Sequence, residues 1–149
     1  MRWSYRKKAG TFSAAEDGVV AVEFVILFPL FMLILVGIVE FGHLFYVRHA
    51  LTNASREGAR AAVVYYTPAD GRAAWAKTQA ETAVTRYLDN FIKGQYEPPA
   101  VTFPDNDSAA TGKPLKVTVS AKSYLLVLDK LVPAFKDLTL VTETTMRLE

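Results

Sequence analysis

The chain has no cysteine, only two histidines among 149 residues, and an apolar stretch of 21 residues that holds a single charge. Without cysteine there is no disulfide framework, thiolate metal site, iron–sulfur cluster or cysteine nucleophile, while the redox compartment stays open. The histidines, His43 and His49, stand about 120° apart around a straight helix, which does not suit a metal pair and does suit polar residues at headgroup level. With both in one segment, no Ser/His/Asp triad assembles. A glycine-rich phosphate loop is missing, so nucleotide chemistry has no support. An excess of one charge is missing too: 17 Lys+Arg face 15 Asp+Glu, a net +2 that makes no electrostatic case for a nucleic-acid partner. The length supports one compact domain and excludes a multidomain enzyme.

Much of the 51% hydrophobic content sits in one block. Val19 to Val39 reads VVAVEFVILFPLFMLILVGIV, which as a helix spans roughly 31 Å, one bilayer crossing. A cleaved secretory signal has a shorter apolar core followed by small residues; here Glu40-Phe41-Gly42-His43 follows, so the segment reads as an anchor that is kept. Arg2, Arg6, Lys7 and Lys8 precede it, and only Arg48 and Arg56 follow within the next twenty residues. The N-terminus is therefore expected on the cytoplasmic side and Glu40 to Glu149 outside. These leader cations, with Trp3 and Tyr5, need no role beyond setting topology, although they would also suit anionic lipid. Two residues are unusual for a plain anchor. Glu23 costs about 3 kcal/mol in hydrocarbon unless paired or raised to the interface. Pro29 removes one N–H from the helical ladder. Glu23 either snorkels to the near surface or has a functional partner.

The string Gly18-Val19-Val20-Ala21-Val22-Glu23-Phe24 resembles the type III signal of type IV pilins and pseudopilins, in which a prepilin peptidase cuts after the glycine. Extended through Pro29, Gly37-Ile38-Val39-Glu40-Phe41-Gly42 and Ser55-Arg56-Glu57-Gly58-Ala59-Arg60, it resembles the TadE-like family of tight-adherence (Flp) pilus assembly proteins, over about Gly18 to Val63. The resemblance implies a minor pilin or pseudopilin, processed between Gly18 and Val19, held in the bacterial inner membrane and acting in or at the base of a thin adhesive pilus. Its implied partners are the membrane, the prepilin peptidase, sibling minor pilins and the assembly platform. Cleavage would free an ammonium at Val19 one turn from Glu23, which with Phe24 marks the assembly contact; the carboxylate could then pair with that amine in its own or a neighbouring subunit.

Beyond the span, Leu44, Val47, Leu51, Ala54, Gly58 and Ala61 recur at alternating three- and four-residue spacing, with Arg48, Asn53, Arg56, Glu57 and Arg60 off the stripe. This predicts one helix from about Val19 to Val64. Ala54, Gly58 and Ala61 form a small-residue stripe for close packing against either the protein's own sheet or a sibling's helix. Thr67-Pro68-Ala69-Asp70-Gly71 breaks the helix. A second helix is predicted from about Arg72 to Lys93, with Ala76, Ala80, Ala83, Val84, Tyr87, Leu88, Phe91 and Ile92 on one face and Gly94 at its end. A short strand around Val101 to Phe103, an alternating strand from Lys116 to Lys122 and a closing strand from Leu138 to Leu148 follow. Tyr124 to Phe135 is either a short helix or a hairpin arm. The expected fold is α+β: a long N-terminal transmembrane helix continuing into a pilin-like domain with a second helix and a small antiparallel sheet.

No catalytic, cofactor-binding or metal-binding set emerges, and neither nucleic acid nor a small-molecule substrate is expected. Asp105-Asn106-Asp107-Ser108 lacks the acid and glycine that a calcium loop needs next, and reads as an Asx-stabilised turn. Trp75, Tyr87 and Phe91 suit a core better than a ligand cleft. Arg56, Glu57 and Arg60 are either a partner patch or a solvated charge set. The alternative to a pilin is a single-pass anchor carrying an extracytoplasmic binding or enzymatic domain; loss of about 18 residues on maturation discriminates the two.

Overall fold

The computed structural model describes residues 13–64, 71–104, 109–122, 125, 127–136 and 138–149. The leader before Ser13, the breaker up to Asp70, the Asp105–Ser108 turn and Tyr124 lie outside the described residues. Helix α1 (Ser13–Val63) carries Pro29 inside it. It starts at Ser13, before the Val19 expected from hydrophobicity.

The chain divides into two compact units, Met1–Val39 and Glu40–Glu149. In the first, the described residues form helix alone, long and apolar enough to cross a membrane. Its large side chains, including Val20, Ile26, Leu30 and Ile34, are exposed all round, so this helix makes no core of its own. Phe24 and Phe28 pack with their rings tilted, centroids 5.2 Å apart.

In the second unit the stem of α1 and helix α2 (Arg72–Asp89) cover one face of a three-stranded antiparallel sheet, β1 (Ala100–Thr102), β2 (Pro114–Lys122) and β3 (Thr139–Arg147), in the order β1-β2-β3. Proline at the first position of β2 is tolerated because no ladder bond is lost inside the strand. Alternation along β2 sends Leu115, Val117, Val119 and Ala121 into the core. Across the β2–β3 register they pair with Met146, Thr144, Thr142 and Leu140. The opposite face is polar, with the Lys116 ammonium 2.6 Å from the Glu143 carboxylate.

Helix α2 leaves Gly71 in the left-handed conformation (φ 92°) and buries the i, i+4 row Ala76, Ala80, Val84 and Leu88, with Ile92 beyond its end. It stops at Asp89, four residues short of the predicted Lys93. The Asn90 and Phe91 amides donate to carbonyls three residues back, Tyr87 and Leu88, which tightens the turn before Gly94 (φ 72°). This turn also corrects the assignment of Phe91 to the core: it is 47% exposed and stacks on the half-buried Tyr87 at 4.8 Å, whereas Trp75 packs at the core's edge. The segment that periodicity left open forms a one-turn helix, α3 (Leu128–Leu131), and a 3-10 turn at Pro133–Phe135.

Candidate functional site

The residues singled out in the sequence fall into two separate groups. On the apolar helix, Gly18, Val19, Glu23 and Phe24 are exposed, and Glu23 has no ion pair among the described residues. A methyl group added at Gly18 would meet nothing within 4 Å, and the same holds for Gly37 and Gly42. Nothing in the fold therefore requires glycine at these positions. Since glycine in a helix interior costs about 1 kcal/mol relative to alanine, whatever favours Gly18 acts from outside the described packing.

Gly58 is the opposite case. A β-carbon built there would lie 2.5 Å from Val84 Cγ2, 3.1 Å from the Ala80 carbonyl oxygen and 3.6 Å from Val117 Cγ1. Gly58 thus sits where α1, α2 and β2 converge, so its contacts are internal and come chiefly from α2. Ala54 is fully buried, Ala61 is half-buried, and Ala50, Ser55, Ala59 and Ala62 join them. The buried arc is wider than a single stripe because the stem is covered by α2 on one side and by the sheet on the other. The fully buried Ser55 hydroxyl lies 2.7 Å from Thr144 Oγ1 on β3 and donates to the Thr52 carbonyl at 2.9 Å. Arg48, Asn53, Arg56, Glu57 and Arg60 are all exposed.

A second polar residue of the stem was not singled out by its sequence position. Glu40, directly after the apolar run, is buried at 7% exposure, and its carboxylate accepts the Val127 amide at 2.6 Å and the Leu128 amide at 3.0 Å. This caps α3 from the outside, two charge-assisted bonds satisfying N–H groups that a single helical turn leaves open. One residue on, the Phe41 and Phe135 rings meet edge to face at 6.2 Å. Above them the Tyr46 hydroxyl donates to the Phe91 carbonyl at 3.3 Å and stacks on His43, while His49 is exposed.

A cleft of about 590 Å³ beside α2 is lined by Glu81, Asp89, Lys93, Tyr96 and Pro98, among others. The Tyr96 phenol donates to Asp89 at 2.8 Å, and its pKa is raised by burial first and then by the Asp89 hydrogen bond and charge. These groups tie the Asn90–Pro99 turn to the helix. They do not pair a nucleophile with a base. Among the described residues no group of three or more His, Asp or Glu side chains is placed to hold a metal.

Comparison with known families matches residues 18–60 to the TadE-like protein family. The match covers under a third of the chain, contains Gly18, Glu23, Glu40 and Gly58, and falls on the segment whose residues resemble that family. The family is pilus-associated and is not an enzyme family. The comparisons with curated proteins and with solved structures give no match.

Proposed function

We propose that this protein is a minor pilin or pseudopilin of a tight-adherence pilus. In this reading a prepilin peptidase cuts it between Gly18 and Val19, the apolar helix holds it in the bacterial inner membrane, and the unit from Glu40 onward lies outside the cytoplasm. It then acts with sibling minor pilins and the assembly platform, in or at the base of the fibre. The observation that carries the reading is the family match over residues 18–60 on a helix whose marked residues have no use within the fold. Gly18 touches nothing and Glu23 is exposed on an apolar helix. A carboxylate in hydrocarbon persists where it has a partner, and the new Val19 ammonium, one turn away in the same or a neighbouring subunit, supplies one.

Intact mass of the membrane-bound protein tests this, in cells with and without a working prepilin peptidase. The expected product begins at Val19, and Gly18→Leu should abolish it. Full-length chain alone in peptidase-positive cells refutes the reading. Glu23→Ala separates anchoring from assembly: insertion should be unharmed, while recovery of sibling pilins with the protein should fall. Normal piliation with Glu23→Ala would return Glu23 to a snorkelling role.

A further inference from the structure

The sheet of the Glu40–Glu149 unit ends on β3, a strand of nine residues, longer than the usual 5–6 or so. Its pairing with β2 runs unbroken from Thr139 to Arg147, so neither a bulge nor a proline blunts the edge, and no lysine stands on it. The direction of its backbone groups is fixed. The Leu148 N–H and C=O both bond toward β2, to Lys113 and Gly112, while the Ser120 carbonyl of β2 accepts the Glu97 amide on the side that β1 occupies. Because bonding alternates along an antiparallel strand, Leu140, Thr142, Thr144 and Met146 bond to β2. Thr139, Val141, Glu143, Thr145 and Arg147 therefore turn their N–H and C=O groups to the outer edge, where among the described residues no backbone partner meets them. The side chains agree. Leu115, Val117, Val119 and Ala121 on the inner face of β2 are fully buried, whereas Leu140, Thr142, Thr144 and Met146 on the inner face of β3 are only half-buried. The core is left open along that side.

We propose that this edge binds a second copy of the chain, β3 against β3 in an antiparallel register centred on Thr145, which joins two three-stranded sheets into one. The charges select both occupant and register. Centring on Thr145 sets Glu143 of each copy opposite Arg147 of the other and Thr145 opposite Thr145, all on the exposed polar face. Centring on Glu143 opposes two carboxylates, which disfavours association, and centring on Val141 forms neither ion pair. Lys116 holds the Glu143 carboxylate at 2.6 Å, so the acceptor is in place before the partner arrives. The outward pairs, 143 with 147, 145 with 145 and 147 with 143, exchange about six backbone hydrogen bonds of the kind that join β2 to β3. Backbone bonds supply the affinity, and the two ion pairs supply the register. The contact lies wholly within the Glu40–Glu149 unit and needs neither the pilus reading nor a membrane.

The absence of native cysteine makes the test direct, since a single thiol reports a single site. Thr145→Cys, Val141→Cys and Thr118→Cys are made separately in the full chain, held in excess detergent, and treated with a bifunctional thiol reagent of about 5 Å reach, the cross-strand Cβ separation. Covalent dimer at 145 should exceed that at 141 and at 118 severalfold. A stronger link at 141 overturns the register, and equal linking at 145 and 118 marks chance collision and overturns the contact. No link at 145, whether the chain is monomeric or paired through another surface, overturns it too. Exchange of charge then tests the partner residues. Added to Thr145→Cys, Glu143→Arg and Arg147→Glu each set like charges across the contact, so each alone should lose the link severalfold while their equimolar mixture recovers it. Thermal unfolding checks that both variants fold. Arg147→Glu leaves the Lys116–Glu143 pair intact and carries the test by itself if Glu143→Arg unfolds. A link that persists with Arg147→Glu overturns the proposal.

Discussion

Gly58→Ala sets two opposed effects against each other at one atom. Alanine raises helix propensity by about 1 kcal/mol over glycine, and on an exposed helix it would stabilise. At Gly58 the new methyl arrives 2.5 Å from Val84 Cγ2 and 3.1 Å from the Ala80 carbonyl oxygen. Val84 is fully buried and, as a β-branched residue in a helix, has essentially one χ1 well, so it cannot swing aside. The Ala80 oxygen is backbone and retreats only if α2 moves. Overpacking of this kind costs about 1–3 kcal/mol, more where a helix must shift. The clash should win by about 1–2 kcal/mol, which for a unit near 100 residues lowers the melting temperature by roughly 5–10 °C. The assay is thermal unfolding of the full chain in detergent, followed by Trp75 fluorescence in a Trp3→Phe background. Adding Val84→Ala makes room for the methyl, so the double variant should be less destabilised than the sum of the two by about 1 kcal/mol or more. A Gly58→Ala protein as stable as the parent, or strict additivity with Val84→Ala, would refute the convergence of α1 and α2 on this glycine.

Glu40→Gln replaces one acceptor oxygen with a donor facing the Val127 or Leu128 amide. Hydrogen bonds to a charged group are worth about 1.5–3 kcal/mol each, so exchange of these two amides should accelerate about tenfold or more while the β2 amides keep their protection. Unchanged protection at Val127 and Leu128 would refute the Glu40 cap on α3. Tyr96 has its folded-state pKa raised by burial and Asp89, so the native state holds the phenol proton more tightly than the unfolded chain. That contribution is fully present below the ordinary tyrosine pKa, about 10, and is lost as pH rises through the raised value. Denaturant titrations should show stability falling above about pH 10, less steeply for Tyr96→Phe; identical profiles would refute the assignment.

The sequence carries most of the fold wherever a period repeats. The three-and-four spacing from Leu44 to Ala61 marks the buried side of the stem, and the alternation of Val117, Val119 and Ala121 marks the inner face of β2. Legibility stops where a contact joins a side chain to distant backbone. Glu40 holds amides 87 and 88 positions away, and since every residue type offers the same N–H, no pattern near Glu40 or near Val127 announces the pairing. The same bond explains why periodicity does not decide between helix and hairpin arm over 124–135. Asp129-Lys130 and Pro133 break any apolar period, and the short α3 is defined by the acceptor brought to its start. Phe91 is exposed for a related reason: it keeps the spacing of the α2 face, but the chain leaves helical geometry just before it. The contact surface of Gly58 was also open in the sequence, because a small residue on a helix reports that something approaches closely without saying what.

The glycines of α1 carry the last step. All four, Gly18, Gly37, Gly42 and Gly58, lie inside the helix, where each costs about 1 kcal/mol relative to alanine. At Gly58 the cost is offset by packing that a methyl would destroy. At Gly18 no neighbour offsets it, and the weakening falls at the border between the acidic pair Glu16-Asp17 and the apolar run. A helix easily unwound at its polar end is what a peptidase requires, because a scissile peptide must leave the i to i−4 hydrogen-bond ladder before an active site can enclose it. The proposed cleavage accounts for Gly18 on the same physical terms by which α2 accounts for Gly58. It further implies that Gly18→Ala, small enough to be enclosed yet stronger as a helix former, should slow processing without abolishing it, whereas Gly18→Leu stops it. Equal processing rates for the glycine and alanine proteins in a pulse-chase experiment would show that side-chain size alone, and not helix strength, is read at this position.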